Sequence, residues 1–281
     1  MRIDAHHHLW TLARGDYGWL TSDLAPIYRD FHLPDLAPLL AAARIEGTIL
    51  VQAAPTEAET AFLLGIADTV EVVRGVVGWT DFDAGDAAGR IEALAARKLL
   101  VGLRPMVQDI ADDDWLLKPE LAPVLAAMAG HGLVFDALVL PHHVPRLVQV
   151  VDRHPDLPFV LDHCAKPRLA ARDITAWKDD IALLAERPNV ACKLSGLVTE
   201  AAPDWQLDDL RGAVEHVRAC FGLKRLIWGS DWPVVNLAGG YERWFAATET
   251  LLADLSPDEK AGVFGGNAAR VYLGRRGRQT R

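Results

Sequence analysis

Cysteine is scarce in this chain: Cys164, Cys192 and Cys220 are three of 281 residues, and no Cys-x-x-Cys pair occurs. An odd, widely spaced trio excludes a disulfide framework and a zinc knuckle and fits reduced thiols. Cys164 adjoins His163, which raises a thiol nucleophile, but neighbours on a strand face oppositely, so it is expected as a small buried residue pointing away from a site. Long apolar runs are missing too. Nothing reaches the roughly 20 residues that span a bilayer, and the N-terminus runs into strand-like sequence instead of a charged-then-apolar leader. A soluble, cytoplasmic protein without a membrane partner is expected. Basic charge is short as well: 29 Lys and Arg stand against 38 Asp and Glu, a formal net charge of −9. No long basic run precedes Arg275-Arg276-Gly277-Arg278, so nucleic acid is not an expected partner, and the 274–281 tail reads as a frayed, solvated end. No Gly-x-Gly-x-x-Gly follows a strand and no Gly-x-x-x-x-Gly-Lys-Ser/Thr is present, which removes dinucleotide and P-loop phosphate binding.

What the chain has is apolar residues in a repeating order, 51% of the total. Short apolar runs end at Gln52, Trp79, Arg104, Leu138, His163, Ser195 and Asp231, after a first run that carries His6 and His8. Helix-length segments lie between them, around 34–44, 57–70, 87–97, 119–129, 144–153, 174–186 and 207–221. Eight near-continuous apolar strands, each followed by a helix-length segment, argue for parallel strands covered by helices, and their number fits a closed (β/α)8 barrel over residues 1–273. A doubly wound open sheet is the rival. The polar and aromatic stretch Thr11 to Leu33, with Tyr17, Trp19, Tyr28 and His32, is long enough to cap a cleft.

In such a barrel the active site is assembled at the carboxyl ends of the strands. In Ile3-Asp4-Ala5-His6-His7-His8, strand alternation turns His6 and His8 the same way and makes a chelating pair. A tag remnant or surface cluster would give three histidines too, but Ile3, Leu9 and Trp10 are the apolar flanks of a buried strand. Asp162-His163-Cys164-Ala165-Lys166-Pro167 puts a histidine where an apolar strand stops. A lone histidine there is more often structural. Trp228-Gly229-Ser230-Asp231-Trp232-Pro233 is sharper: glycine allows close backbone approach, the carboxylate follows the strand, and proline ends the ladder. A helix cap is the ordinary use of such an aspartate, and three histidines at the same barrel mouth favour a site. Gln52, Trp79, Arg104, Lys193, Trp232 and His32 are the candidate substrate contacts, with Arg104 and Lys193 as the cations. Tryptophans and an amide suit a hydroxylated sugar ring.

These motifs, together with Lys193-Leu194-Ser195-Gly196-Leu197, resemble the amidohydrolase superfamily, and within it the lactonase group that includes L-fuconolactonase, L-rhamnonolactonase and 2-pyrone-4,6-dicarboxylate lactonase. The resemblance runs from Arg2 to about Leu273. It implies a (β/α)8 barrel that hydrolyses a cyclic ester, with Asp231 matching the general base, His6 and His8 the metal-binding pair, and His163 the strand-six histidine. The binuclear branches carry a bridging Lys or Glu after strand four and a His after strand five. Here those places hold Arg104-Pro105 and Phe135-Asp136-Ala137, so a second metal is not expected. The expected reaction is water attack on an aldonolactone, aided either by one divalent ion, zinc, on His6, His8 and Asp231, or without metal by direct donation from His6, His8, His163 or Arg104. A pyrone-dicarboxylate lactonase, a metal-dependent decarboxylase of the same superfamily and a silent sugar-binding barrel are the alternatives. A monomer or homodimer is expected.

Overall fold

A computed structural model describes residues 1–274; beyond Gly274 the expected basic tail lies outside the described residues. Eight strands form one parallel sheet in sequential order: β1 (Ile3–His7), β2 (Gly47–Val51), β3 (Val73–Gly78), β4 (Leu100–Leu103), β5 (Val134–Ala137), β6 (Phe159–Leu161), β7 (Val190–Leu194) and β8 (Leu226–Trp228). The circle is drawn together just past β8, where Asp231 N donates to His6 O (2.7 Å) and His8 N to Trp232 O (2.7 Å). Helices α1 (Leu33–Ala42), α2 (Glu57–Ala67), α3 (Ala87–Ala95), α4 (Leu121–Gly130), α5 (Val144–Arg153), α6 (Thr175–Ala185), α7 (Leu207–Phe221) and α8 (Tyr241–Leu251) follow the strands in turn. This is the (β/α)8 barrel expected from the sequence. No helix among the described residues is long and apolar enough to cross a membrane.

The strands read as unbroken apolar runs because both of their faces are buried. One face packs outward under the helices, through residues such as Leu50, Val76, Leu100, Phe135 and Leu161. The other lines the barrel interior, where Ile3, Ile49, Val77, Val101, Val160 and Ile227 form a second apolar cluster with Tyr272 from the chain's last turns. Above this apolar layer the interior turns polar. Lys193 Nζ lies 2.5 Å from Asp136 Oδ2 and 2.9 Å from Asp162 Oδ1, and the Tyr272 hydroxyl donates to Asp136 Oδ1 at 2.8 Å. All four side chains are sealed from solvent. The stretch between β1 and α1 is pinned at its ends by paired backbone bonds between Trp10 and Phe31 (3.0 Å each), and its Trp19 indole donates to Ala53 O at 2.7 Å.

Candidate active site

At the mouth of the barrel, four side chains meet on one oxygen. The Nε2 atoms of His6, His8 and His163 lie 3.6, 3.4 and 3.9 Å from Asp231 Oδ1. His6 and His8 converge as alternation requires, although the register of β1 on β2 shifts between Asp4 and His7. Close backbone packing makes room for them: a Cβ on Gly229 would stand 2.6 Å from His6 Cβ, and one on Gly196 2.4 Å from His163 Nδ1. His163, Cys164, Ala165 and Lys166 all carry positive φ (52°, 53°, 58° and 51°), as does Asp231 at 58°. Left-handed backbone costs roughly 1–2 kcal/mol per non-glycine residue, and such outliers cluster at functional sites. Side chains hold the turn in place. Trp177 Nε1 donates to Cys164 O at 2.7 Å, Cys164 Sγ donates to Lys193 O at 3.3 Å, and Ser195 Oγ meets His163 Nδ1 at 2.9 Å. Cys164 is thus buried and structural, as expected.

Electrostatics separate the carboxylate from the imidazoles. Burial alone would raise the Asp231 carboxyl; the facing His163, His8 and His6 more than offset it and hold it below the ordinary carboxylate range. Burial pushes His163 down to about 4 against the pull of Asp231, and burial with the nearby Lys193 charge pushes His6 well below 6.5. At neutral pH the mouth therefore holds an ionised carboxylate with neutral His6 and His163. The tautomer of His8 is fixed, because its Nδ1 donates to Val51 O at 2.8 Å and a carbonyl only accepts. Its Nε2 faces Asp231 Oδ1 at 3.4 Å, where the two can share a proton or a cation. His6, His163 and Asp231 offer ligand atoms all within 4.8 Å of one another. Ligands about 2.1 Å from a tetrahedral ion sit about 3.4 Å apart, so this donor set fits one small divalent cation.

The other candidates divide. Arg104 lines the reactive cleft; its guanidinium donates to Gln52 O, to Asp162 Oδ2 (3.2 Å) and toward His6 Nε2 (3.3 Å). Gln52 is fully buried, donating to Arg104 O at 2.9 Å and accepting from Arg104 Nη2 at 3.2 Å, so it holds the arginine and does not face the cleft. Lys193 was expected to hold substrate; it sits a layer deeper, sealed between Asp136 and Asp162. Trp232 is 2% exposed and packs edge-on against Phe31, 5.1 Å between centroids, which makes it wall and not a stacking platform. His32 precedes α1 with its side chain about half exposed beside Asp30, outside the cleft. Trp79 lines a neighbouring cavity.

The reactive cleft encloses about 170 Å³; Trp19, from the stretch expected to cap a cleft, lines it, together with Met106, Gln108, Asp109 and Lys166, which the sequence does not mark as contacts. Lys166 stood inside the quoted Asp162–Pro167 motif, and its left-handed φ is what carries it to the mouth.

Comparison with known proteins identifies the family. The family profile described as "Amidohydrolase" matches residues 3–273. The L-fucono-1,5-lactonase of Burkholderia ambifaria is 47% identical over 275 residues, covering 96% of this chain and 95% of that protein. The L-fucono-1,5-lactonase of Burkholderia multivorans is 38% identical over 291 residues, covering 97% and 96%. The crystal structure of an amidohydrolase from Burkholderia multivorans with bound Zn superposes with a TM-score of 0.91 at 34% identity, covering 97% of this chain and 99% of that one. By profile, by sequence and by fold, the chain belongs to the amidohydrolase family.

Proposed function

We propose that this protein is a lactonase that opens an aldonolactone of the L-fucono-1,5-lactone kind, with Asp231 as its general base. The observation that carries the reading is the meeting of His6, His8 and His163 on Asp231 Oδ1 within a cleft of about 170 Å³. The names of the two curated relatives supply the substrate class. We take residues 1–273 as one catalytic domain, acting in the cytoplasm on a small-molecule substrate.

In this scheme the ionised Asp231 takes a proton from water as the water oxygen bonds to the lactone carbonyl carbon. The bond from that carbon to the ring oxygen then breaks. Asp231 returns the proton to the departing oxygen, leaving the open aldonic acid. His163, oriented by Ser195, faces the Asp231 carboxylate from beside the water. Arg104 and Lys166 line the same cleft and are placed to take up the charge that grows on the carbonyl oxygen; one such fixed donor contributes about 10²–10³ in rate. His6, His8, His163 and Asp231 would hold a single divalent ion, zinc by the chemistry of an imidazole-carboxylate set, and it would supply carbonyl polarisation and a more acidic water. A sugar suits the surroundings better than a dicarboxylate does. Among the described residues, no Lys or Arg lines the cavity next to the cleft to pair with a second carboxylate, and Asp81 and Asp109 stand in its wall.

A proton-release assay over L-fucono-, L-rhamnono-, D-galactono- and L-arabinono-lactones tests the reading. Acceleration on the fucono or a related lactone is expected; spontaneous rates across the whole panel would overturn it. The same assay after exhaustive chelation and after zinc addition tests the cation. Loss and recovery of rate are expected, and full activity without metal would leave direct donation by Arg104 and Lys166.

A further inference from the structure

A second cavity, about 510 Å³, adjoins the reactive cleft of about 170 Å³ and shares Trp19, Met106 and Asp109 with it. Ordinary ligand pockets enclose roughly 300–1,000 Å³. The cleft alone falls short of that range, and cleft and cavity together sit well inside it. A single-ring lactone at Asp231 leaves the larger space unused.

Two walls of this cavity suit a sugar. Trp19 and Trp79 present ring surface to it, and Phe82 and Trp115 are buried behind its lining. Two of the indoles are locked by hydrogen bonds, Trp19 Nε1 to Ala53 O (2.7 Å) and Trp115 Nε1 to Asp83 Oδ2 (2.9 Å), so what these rings have left to offer is their apolar surface. Among the described residues no Lys or Arg lines the cavity, while four carboxylates do. Two of those are already neutralised, Asp16 by Arg14 at 2.7 Å and Asp83 by Lys118 at 3.6 Å. Asp81 and Asp109 remain as acceptors at the wall. Aromatic surface with carboxylate acceptors and little uncompensated charge fits a neutral ring that donates hydroxyl hydrogens, and it does not fit an anion.

We propose that this cavity binds a second pyranose, so that the enzyme opens aldonolactones still carrying a sugar in glycosidic linkage. The proposal rests on the lactonase reading and extends it. The ester bond opened is the same, one water is consumed, and the glycosidic bond is left intact.

The test compares the best monosaccharide lactone with the same lactone bearing a pyranose on O2, O3 or O4, in the wild type and in Gly18→Phe. Gly18 lines only the larger cavity, and a Cβ there meets nothing within 4 Å, so a side chain at this position starts in open space; thermal unfolding of Gly18→Phe beside the wild type checks that the fold is kept. We expect at least one glycosylated lactone to match or exceed its parent in kcat/KM. In Gly18→Phe that value should fall about tenfold while the parent's stays within about twofold. The proposal is overturned if every glycosylated lactone is slower than its parent, or if Gly18→Phe slows both alike. If even the parent is not hydrolysed, the lactonase reading has failed. Quenching of tryptophan fluorescence by a free disaccharide then tests the cavity by itself: quenching that Gly18→Phe removes keeps the sugar site, and its absence, or quenching only by a simple alkylammonium, ends it.

Discussion

Inside the barrel, two polar clusters made of much the same residue types lie one above the other, and they behave differently. In the lower one each charge meets its opposite. The Lys193 ammonium touches Asp136 and Asp162, Arg104 Nη1 lies 3.2 Å from Asp162 Oδ2, and Tyr272 donates to Asp136. Burial works against both carboxylates; Lys193, His6 and Arg104 hold Asp162 well below the usual range, whereas Asp136, facing Asp162 as well, is pushed up to about 6. In the upper cluster a carboxylate faces three imidazole nitrogens at 3.4–3.9 Å. A network complete in itself holds the barrel together. The one whose carboxylate faces three imidazole nitrogens is where we propose the chemistry.

Removing the cation of the lower cluster should have the largest effect on stability. Lys193→Met leaves two buried carboxylates without it and should cost about 3–5 kcal/mol in urea unfolding, with Asp136→Asn added to it recovering part of the loss. A change under about 1 kcal/mol would mean that the cluster is not ionised.

Glu59 sharpens the contrast, as a nearly buried carboxylate whose hydrogen bonds come from neutral donors. It accepts from Ala53 N (3.0 Å) and Ala54 N (2.6 Å), and burial pushes it up to about 7. The folded state therefore binds this proton more tightly than the unfolded chain does. The resulting stability is fully present below the unfolded value of 4.5 and is lost as pH rises through about 7, a contribution on the order of 3 kcal/mol. Glu59→Gln should flatten the change in Tm between pH 5 and pH 8; an unchanged slope would show that Glu59 is already ionised.

The smallest effect belongs to Tyr272→Phe. Loss of the hydroxyl donor to Asp136 should cost about 1–2 kcal/mol with lactone turnover unaltered. An equal fall in activity would show the two clusters to be one.

The architecture was legible because each strand is buried on both faces, as in β2, where every residue from Gly47 to Val51 is buried. His6, His8, His163 and Asp231 were legible for a related reason: alternation fixes the face, and the order of the motifs fixes the ring. Depth was not. Period two places Lys193 and Gln52 on the interior without saying whether they reach the mouth or the layer beneath it. Both lie beneath. His32 and Trp232 were misjudged because residue type says nothing of what covers a side chain. Trp19 was legible only as part of a capping stretch, its place being set by the bond to Ala53, and Lys166 was missed because a run of left-handed residues that no periodicity reveals places it.

The central claim, that the carboxylate of Asp231 is the base, meets its most direct test in kcat/KM for L-fucono-1,5-lactone measured on Asp231→Asn beside the wild type, with thermal unfolding as the control. The account predicts a loss of about a thousandfold with Tm essentially kept. Near-normal turnover in a folded Asp231→Asn protein would contradict it.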